Sequence, residues 1–292
     1  MRVGIGVGLI VAALIVIGVA VSQAPAVAAG GLLHPARHRH QQQIPDNCEP
    51  LAVSSADVIL RGWRCEAAQR SRGTVVYLHG IADNRGSAVH IIKRYLAKGL
   101  MVVAYDSRAH GESDGSACTY GYFEKGDLMR VLDTLEHRTP VVLIGTSLGA
   151  AVAIQAASKD SRISAVVAAE TFSDLRTIAR ERAPWILTDG LIELSFRRAE
   201  RDGHFEVDAA SPLLAARDVR APVLLIHGRE DLETRPAHSE RVMSALAGPK
   251  RLILVEGAGH NQSLQRENVW TEIDAFIEGR LGSPLDAGGD PH

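Results

Sequence analysis

Val141-Val142-Leu143-Ile144-Gly145-Thr146-Ser147-Leu148-Gly149-Ala150-Ala151-Val152-Ala153-Ile154 decides how this chain reads. The apolar run 141–144 is a short, fully buried strand, and the Ala-rich run 150–158 is a helix. A single serine between two glycines is left to turn the chain from one into the other. The pattern G-x-S-x-G is weak by itself and informative in this setting, because a tight strand-to-helix turn lifts the serine hydroxyl above the edge of a sheet. The helix N-terminus beneath it favours negative charge.

The same alternation continues on both sides. Buried strands are expected over 74–78, 100–105, 163–168, 223–226 and 252–255, with helices near 87–98, 122–137 and 263–278. Continuous apolar runs separated by helices indicate a mostly parallel sheet covered on both faces, which is a doubly wound α/β architecture. The stretch 174–205 breaks the alternation with two helical patterns and no strand, so it reads as a small helical lid over the strand ends. Its six arginines (176, 180, 182, 197, 198 and 201) are interleaved with Glu181, Glu193 and Glu200 and read as a salt-bridged, solvated face. A basic surface for anionic substrates or membranes is the competing reading.

Serine is a weak nucleophile at neutral pH and needs a base, an acid to orient that base, and donors for the developing oxyanion. The strand over 223–226 runs into His227-Gly228-Arg229-Glu230-Asp231, which places Asp231 at the carboxyl edge where open α/β sheets build their sites. Glu230 and Glu233 are its neighbours, and Glu170 and Asp174 are fallback acids whose plainer role is to support the lid. The last strand leads into Gly257-Ala258-Gly259-His260, whose flanking glycines suggest a mobile, exposed imidazole suited to act as base. Oxyanion donors are expected at the backbone N–H of Leu148 and of Ile81, the residue after Leu78-His79-Gly80. His79 and His110 read as loop braces. No histidine, cysteine and carboxylate set has metal-ligand spacing, so neither a metal nor another cofactor is expected.

These motifs, in the order His79-Gly80 with Asp83-Asn84-Arg85, Asp106-Ser107-Arg108-Ala109-His110-Gly111-Glu112-Ser113, the serine turn, His227-Gly228 with Asp231, and Gly259-His260, resemble the α/β-hydrolase superfamily. Within it, the chain is similar to the Bem46-like and prolyl-oligopeptidase-like branch. The resemblance spans roughly residues 51–281. It implies the α/β-hydrolase fold and a serine hydrolase with a Ser147, His260 and Asp231 triad, working through an acyl-enzyme without a cofactor. It does not select among esters, thioesters, amides and peptides. No long β-propeller is read within these residues, which weakens the peptidase reading.

The chain has 292 residues, 46% hydrophobic and 23% charged, with a formal net charge of -2. That suits one domain over about 48–282 and gives no electrostatic reason to expect a nucleic-acid partner. Residues 3–21 form an uncharged apolar run behind Arg2, within a segment 1–28 that reads as a signal peptide or membrane anchor. Ala26-Val27-Ala28-Ala29 fits the small-residue cleavage pattern and favours removal. Either way an exported or membrane-anchored domain is expected, with membrane association through 3–21 in the anchored case. Residues 29–47, which contain His34, His38 and His40, read as a flexible solvated linker, and 283–292 as a fraying tail. Cys48 and Cys65 flank the first strands and could pair on export; pairing of Cys118 with one of them is the alternative. Carboxylic ester or thioester hydrolysis on a small-molecule or lipid-like acyl substrate is the leading reading. A serine peptidase or amidase is second, and an exported, non-catalytic binding protein on the same scaffold is third.

Overall fold

A computed structural model describes residues 22–39, 43–69, 71–135, 139–184 and 187–281. The apolar run 3–21 and the tail 283–292 lie outside the described residues. Eight strands form one sheet: β1 (Cys48–Ser55), β2 (Val58–Cys65), β3 (Thr74–Leu78), β4 (Met101–Tyr105), β5 (Val141–Thr146), β6 (Ile163–Ala169), β7 (Val223–Gly228) and β8 (Lys250–Val255). Their spatial order is β1-β2-β4-β3-β5-β6-β7-β8. β2 is antiparallel to both neighbours, and every pair from β4 to β8 is parallel.

The near-continuous apolar runs follow from burial on both sides. In β5, Val141 and Leu143 face one core while Val142 and Ile144 face the other. The first core is closed by α3 (Glu124–Leu132), α4 (Leu148–Ala157), α8 (Ala237–Ala245) and the lid; the second by α2 (Val89–Ala97) and α9 (Glu267–Glu278). β5 is an interior strand flanked by β3 and β6, so its carboxyl end opens near the middle of one sheet edge.

The sequence motifs around Asp106 are structural. Asp106 and Arg85 are buried as an ion pair, and Asp106 also accepts the backbone N–H groups of Arg85 at 2.7 Å and Glu112 at 2.8 Å. A buried carboxylate is tolerated only when paired and hydrogen-bonded in this way. It ties the loops after β3 and β4 together at the site edge.

The lid consists of α5 (Leu175–Arg182) and α6 (Asp189–Gly203). Its arginines are largely paired: Arg176 with Glu193 at 2.7 Å and Asp208 at 2.5 Å, Arg197 with Glu193 at 3.5 Å, and Arg198 with Asp202 at 2.5 Å. The salt-bridged reading of this face therefore fits better than a basic binding surface. α7 (Pro212–Ala216) and α8 have no counterpart among the expected helices; α7 is short, with Ser211 capping it and proline in its first turn. Residues 122–123 and 133–135, expected inside one long helix, are turns or bends on either side of α3.

The expectation of a flexible linker over 29–47 is corrected for its first part. Residues 22–33 are helical, here α1, and Ala29 and Leu33, one turn apart, are buried in the first core. Leu33 O accepts the Cys118 N–H at 2.8 Å, Leu32 O accepts the Tyr120 hydroxyl at 3.0 Å, and Arg37 donates to Gly115 O at 2.7 Å. The His- and Gln-rich composition after residue 33 hid an amphipathic turn whose partner is distant in sequence. α1 and the lid helices enclose an apolar cleft of about 260 Å³ that includes Leu32, Leu187 and Phe196. Cys48 and Cys65 stand opposite each other in the β1–β2 pairing and form a disulfide, and Cys118 is free and buried.

Candidate active site

Ser147 is the one residue between β5 and α4, and it takes the turn in its own backbone, with φ 49° and ψ −111°. A non-glycine residue in so sparsely populated a region costs about 1–3 kcal/mol and persists only where its surroundings hold it. Here the Ser147 N–H donates to Ala169 O at 2.8 Å and its carbonyl accepts the Ala151 N–H at 3.1 Å. The two flanking glycines serve close approach. A Cβ on Gly145 would lie 2.4 Å from the Gly149 carbonyl, and one on Gly149 would lie 2.1 Å from Leu78 O. α4 therefore starts pressed against the ends of β3 and β5.

The structure brings Ser147, His260 and Asp231 into one hydrogen-bonded chain, from three loops beyond the carboxyl ends of β5, β7 and β8. Ser147 Oγ lies 3.2 Å from His260 Nε2, and His260 Nδ1 lies 2.7 Å from Asp231 Oδ2. Asp231 is 1% exposed. Its Oδ1 accepts the Glu233 and Thr234 N–H groups at 2.9 and 2.8 Å, which leaves Oδ2 for the imidazole. A carboxylate there makes Nδ1 the donor, so Nε2 presents a lone pair to the serine hydroxyl.

The electrostatics agree. Burial alone would raise the Asp231 pKa, but hydrogen bonds from His227, His260 and Thr234 outweigh it and hold the carboxyl well below its usual range. Burial would lower the pKa of His260, but the hydrogen bond and charge of Asp231, with Glu170 and Glu233 behind them, raise it. The expected mobile, exposed histidine is corrected: the imidazole is only 6% exposed. The glycines bend its loop, while the ring is held.

Two residues hold this arrangement: His227, assigned no role of its own from the sequence, and Glu170, expected as a fallback acid or lid support and found instead under the His260 loop. His227 is fully buried; its Nε2 donates to Thr234 O at 2.6 Å and lies 3.3 Å from Asp231 Oδ2, while Nδ1 pairs with the Ser239 hydroxyl at 2.6 Å. Glu170 takes the positive φ of 57° just after β6 and accepts the backbone N–H groups of Asn261 and Ser263, bracing the His260 loop. The carboxylate next to a strand end in sequence was a signal, but its acceptor role depends on a loop some ninety residues away. Asp174 caps α5 by accepting the Thr177 N–H at 2.8 Å. Arg182, on the same helix, donates to Glu233 O at 2.8 Å and Thr234 Oγ1 at 2.9 Å, joining the lid to the Asp231 loop.

Leu148 is the first residue of α4, so its N–H has no partner within the helix. Gly80 packs beside Ser147, where a Cβ would be 3.6 Å from the serine Cβ. His79 Nε2 accepts the Ser107 N–H at 3.0 Å, so its Nδ1 carries the proton and donates to Gly80 O at 2.7 Å. Pinning that carbonyl fixes the Gly80–Ile81 peptide, whose trans N–H points the opposite way. His110 donates from Nδ1 to Arg108 O at 2.9 Å and, like His79, is buried.

Glu170, Asp231 and His260 place ligand-type atoms within 4.8 Å of one another. Both His260 ring nitrogens are committed, Nδ1 to Asp231 and Nε2 to Ser147, so a metal taking His260 as ligand would break that chain.

Protein YqkD of Bacillus subtilis is 29% identical over 199 residues, which span 65% of this chain and 65% of that protein. The esterase Pf2001 of Pyrococcus furiosus superimposes with a TM-score of 0.69 at 24% identity, covering 85% of this chain and all of that one. The acylaminoacyl peptidase of Pyrococcus horikoshii does so with a TM-score of 0.64 at 17% identity, over 83% of this chain and 44% of its own. Residues 75–272 match the Alpha/beta hydrolase family, and with strand order and serine turn in agreement, the chain belongs to that family.

Proposed function

We propose that this protein is a serine hydrolase that cleaves carboxylic esters or thioesters. The observation that carries the reading is the continuous chain from Ser147 Oγ through His260 to Asp231, at a strained turn on a helix N-terminus. Ser147 Oγ attacks the acyl carbon as its proton passes to His260 Nε2, and Asp231 stabilises the imidazolium formed. The N–H groups of Leu148 and Ile81 take the oxyanion. As the tetrahedral intermediate collapses, His260 returns the proton to the departing alcohol or thiol, leaving an acyl-enzyme. A water, deprotonated by His260, then releases the acid.

Ester rather than amide cleavage is supported by the likeness to an esterase covered along its whole length, against under half of the peptidase. p-Nitrophenyl butyrate should be turned over far faster than the matching butyryl anilide, and Ser147→Ala should abolish both reactions. An equal or greater rate on the anilide would move the assignment to an amidase. Inertness towards both would leave the binding-protein reading.

We also place the domain outside the cytoplasm, a reading supported by the apolar run 3–21 and by the Cys48–Cys65 disulfide. The docking of α1 across the Ala26–Ala29 cleavage pattern supports an anchor that is retained. Among the described residues no helix is long and apolar enough to cross a membrane. Edman or mass analysis of the mature N-terminus decides between a start before residue 22 and one near residue 29.

A further inference from the structure

A cavity of about 330 Å³ opens at the carboxyl ends of β3 and β5, on the side of the sheet away from the lid; it is lined by the sequence neighbours of Ser147 and His260 and not by those two residues themselves. Its position is set by the functional loops: Ile81 comes from the expected oxyanion loop, Thr146 immediately precedes Ser147, and Asn261 immediately follows His260. The opposite wall is built from the start of α2 and from Leu264 and Gln265 after the His260 loop. Parity along β5 puts Thr146 on the face of Val142 and Ile144, whereas the lid covers the face of Leu143. The cavity is of the size that holds small ligands.

Its lining mixes apolar surface, from Ile81 and Leu264 among others, with polar groups, and its charged groups carry one sign. Asp83 and Glu170 contribute carboxylates, and no lysine or arginine is among its described lining residues. His90, its one histidine, is kept neutral: burial lowers its pKa and the charge of Arg94 adds to this. The Tyr77 hydroxyl sits 3.1 Å from Ser87 Oγ, and with Thr146 they set three hydroxyl groups along one wall. Such a surface offers acceptors and donors to alcohol groups. An anion would be desolvated beside two carboxylates with no cation to pair it.

We propose that this cavity receives the leaving alcohol of the ester, and that it selects hydroxylated alcohols carrying no negative charge. The proposal rests on the hydrolase reading above. In that reaction the departing oxygen must receive its proton from His260 Nε2, and the cavity is walled by the segment that follows His260. Both carboxylates contribute to the charge preference, but Glu170 also holds Asn261 and Ser263 of the His260 loop, so Asp83, whose Oδ1 accepts the Asn84 N–H at 2.8 Å, is the residue through which the preference is tested.

The test holds the acyl group constant and varies the alcohol: 1-butyrylglycerol, butyrylcholine and the butyryl ester of glycolic acid, which carry a neutral, a cationic and an anionic leaving group. Wild type should prefer the glycerol and choline esters over the glycolate ester by on the order of tenfold or more in kcat/KM. Asp83→Lys should shift the glycolate-to-glycerol ratio towards glycolate by about tenfold, and Asp83→Asn by a few-fold in the same direction. The ratio within each variant cancels any change in overall rate, and comparing that ratio between variants cancels the intrinsic reactivity of the esters. A wild type that prefers the glycolate ester or does not discriminate, or ratios unmoved by both substitutions, overturns the proposal. If p-nitrophenyl butyrate is still hydrolysed in that case, the hydrolase reading stands without it. If wild type hydrolyses no ester and takes no fluorophosphonate label, the hydrolase reading fails and this proposal falls with it.

Discussion

Asp231→Asn changes one atom and should disable the enzyme through its tautomer. Oδ1 of Asp231 accepts two backbone N–H groups, from Glu233 and Thr234. The asparagine must therefore keep its oxygen on that side and turn its NH2 towards His260. The amide then donates to Nδ1, which forces the ring proton onto Nε2, where it faces Ser147 and blocks proton transfer. Flipping the amide to restore the productive tautomer would set the NH2 against those two N–H donors, at about 1–3 kcal/mol for each buried group left unpaired. Losing the carboxylate that stabilises the imidazolium adds to this. Together they amount to about 4–5.5 kcal/mol, a fall of about 10³–10⁴ in kcat/KM. The assay is p-nitrophenyl butyrate hydrolysis across pH, with near-ultraviolet circular dichroism to verify the fold. In wild type, His260 must be neutral to act as base and its pKa is raised, so kcat/KM should fall as pH drops through a midpoint above 6.5. Without the anion the burial effect is opposed only by the weaker pull of Glu170 and Glu233, and the residual activity should show a lower midpoint. A variant within tenfold of wild type, or one with an unmoved midpoint, would refute this reasoning.

Gly149→Ala puts a methyl group 2.1 Å from Leu78 O and 2.7 Å from His79 O, backbone atoms that no rotamer change can relieve. It should cost about 1–3 kcal/mol or more in urea unfolding and reduce turnover; wild-type stability and rate would show that the turn is less tightly packed than described. Reduction of Cys48–Cys65, a loop with a sequence separation of 17, should remove about 3 kcal/mol and lower Tm by about 6–12 °C. An unchanged Tm under reductant would mean that the bond is not formed or that the β1–β2 edge does not limit unfolding. Glu170→Ala leaves the Asn261 and Ser263 N–H groups without their acceptor, so kcat should fall by about tenfold as His260 loses its seat, alongside a stability loss of about 1–3 kcal/mol for each N–H left unpaired. A loss confined to stability, with kcat unchanged, would contradict the bracing role.

What could be read before the structure was whatever lies close in sequence. The apolar run ending at Gly145, the serine and the Ala-rich helix are contiguous, so the strand-to-helix turn follows from local pattern. His260 and Asp231 were legible because chain order in a doubly wound sheet decides which loops reach one edge. The supports were not legible: Glu170 meets the loop after β8, about ninety residues on, and although Thr234 and Ser239 follow His227 by only 7 and 12 residues, it takes the folded loop and helix to turn them back onto its ring. The same reason explains α1, whose burial needs residues 115–120; the lid arginines were legible as a salt-bridged face, save that Arg176 also reaches Asp208 beyond the lid itself. Glycines around His260 signalled a bend but could not show that the bend closes over the ring.

The central claim is that Ser147 is an activated nucleophile, and a fluorophosphonate probe tests it most directly. Labelling of the intact protein followed by peptide mass spectrometry should place one adduct on Ser147. Ser147→Ala should take none, and His260→Ala should react far more slowly. An adduct on another residue, or equal labelling of wild type and Ser147→Ala, would contradict the account.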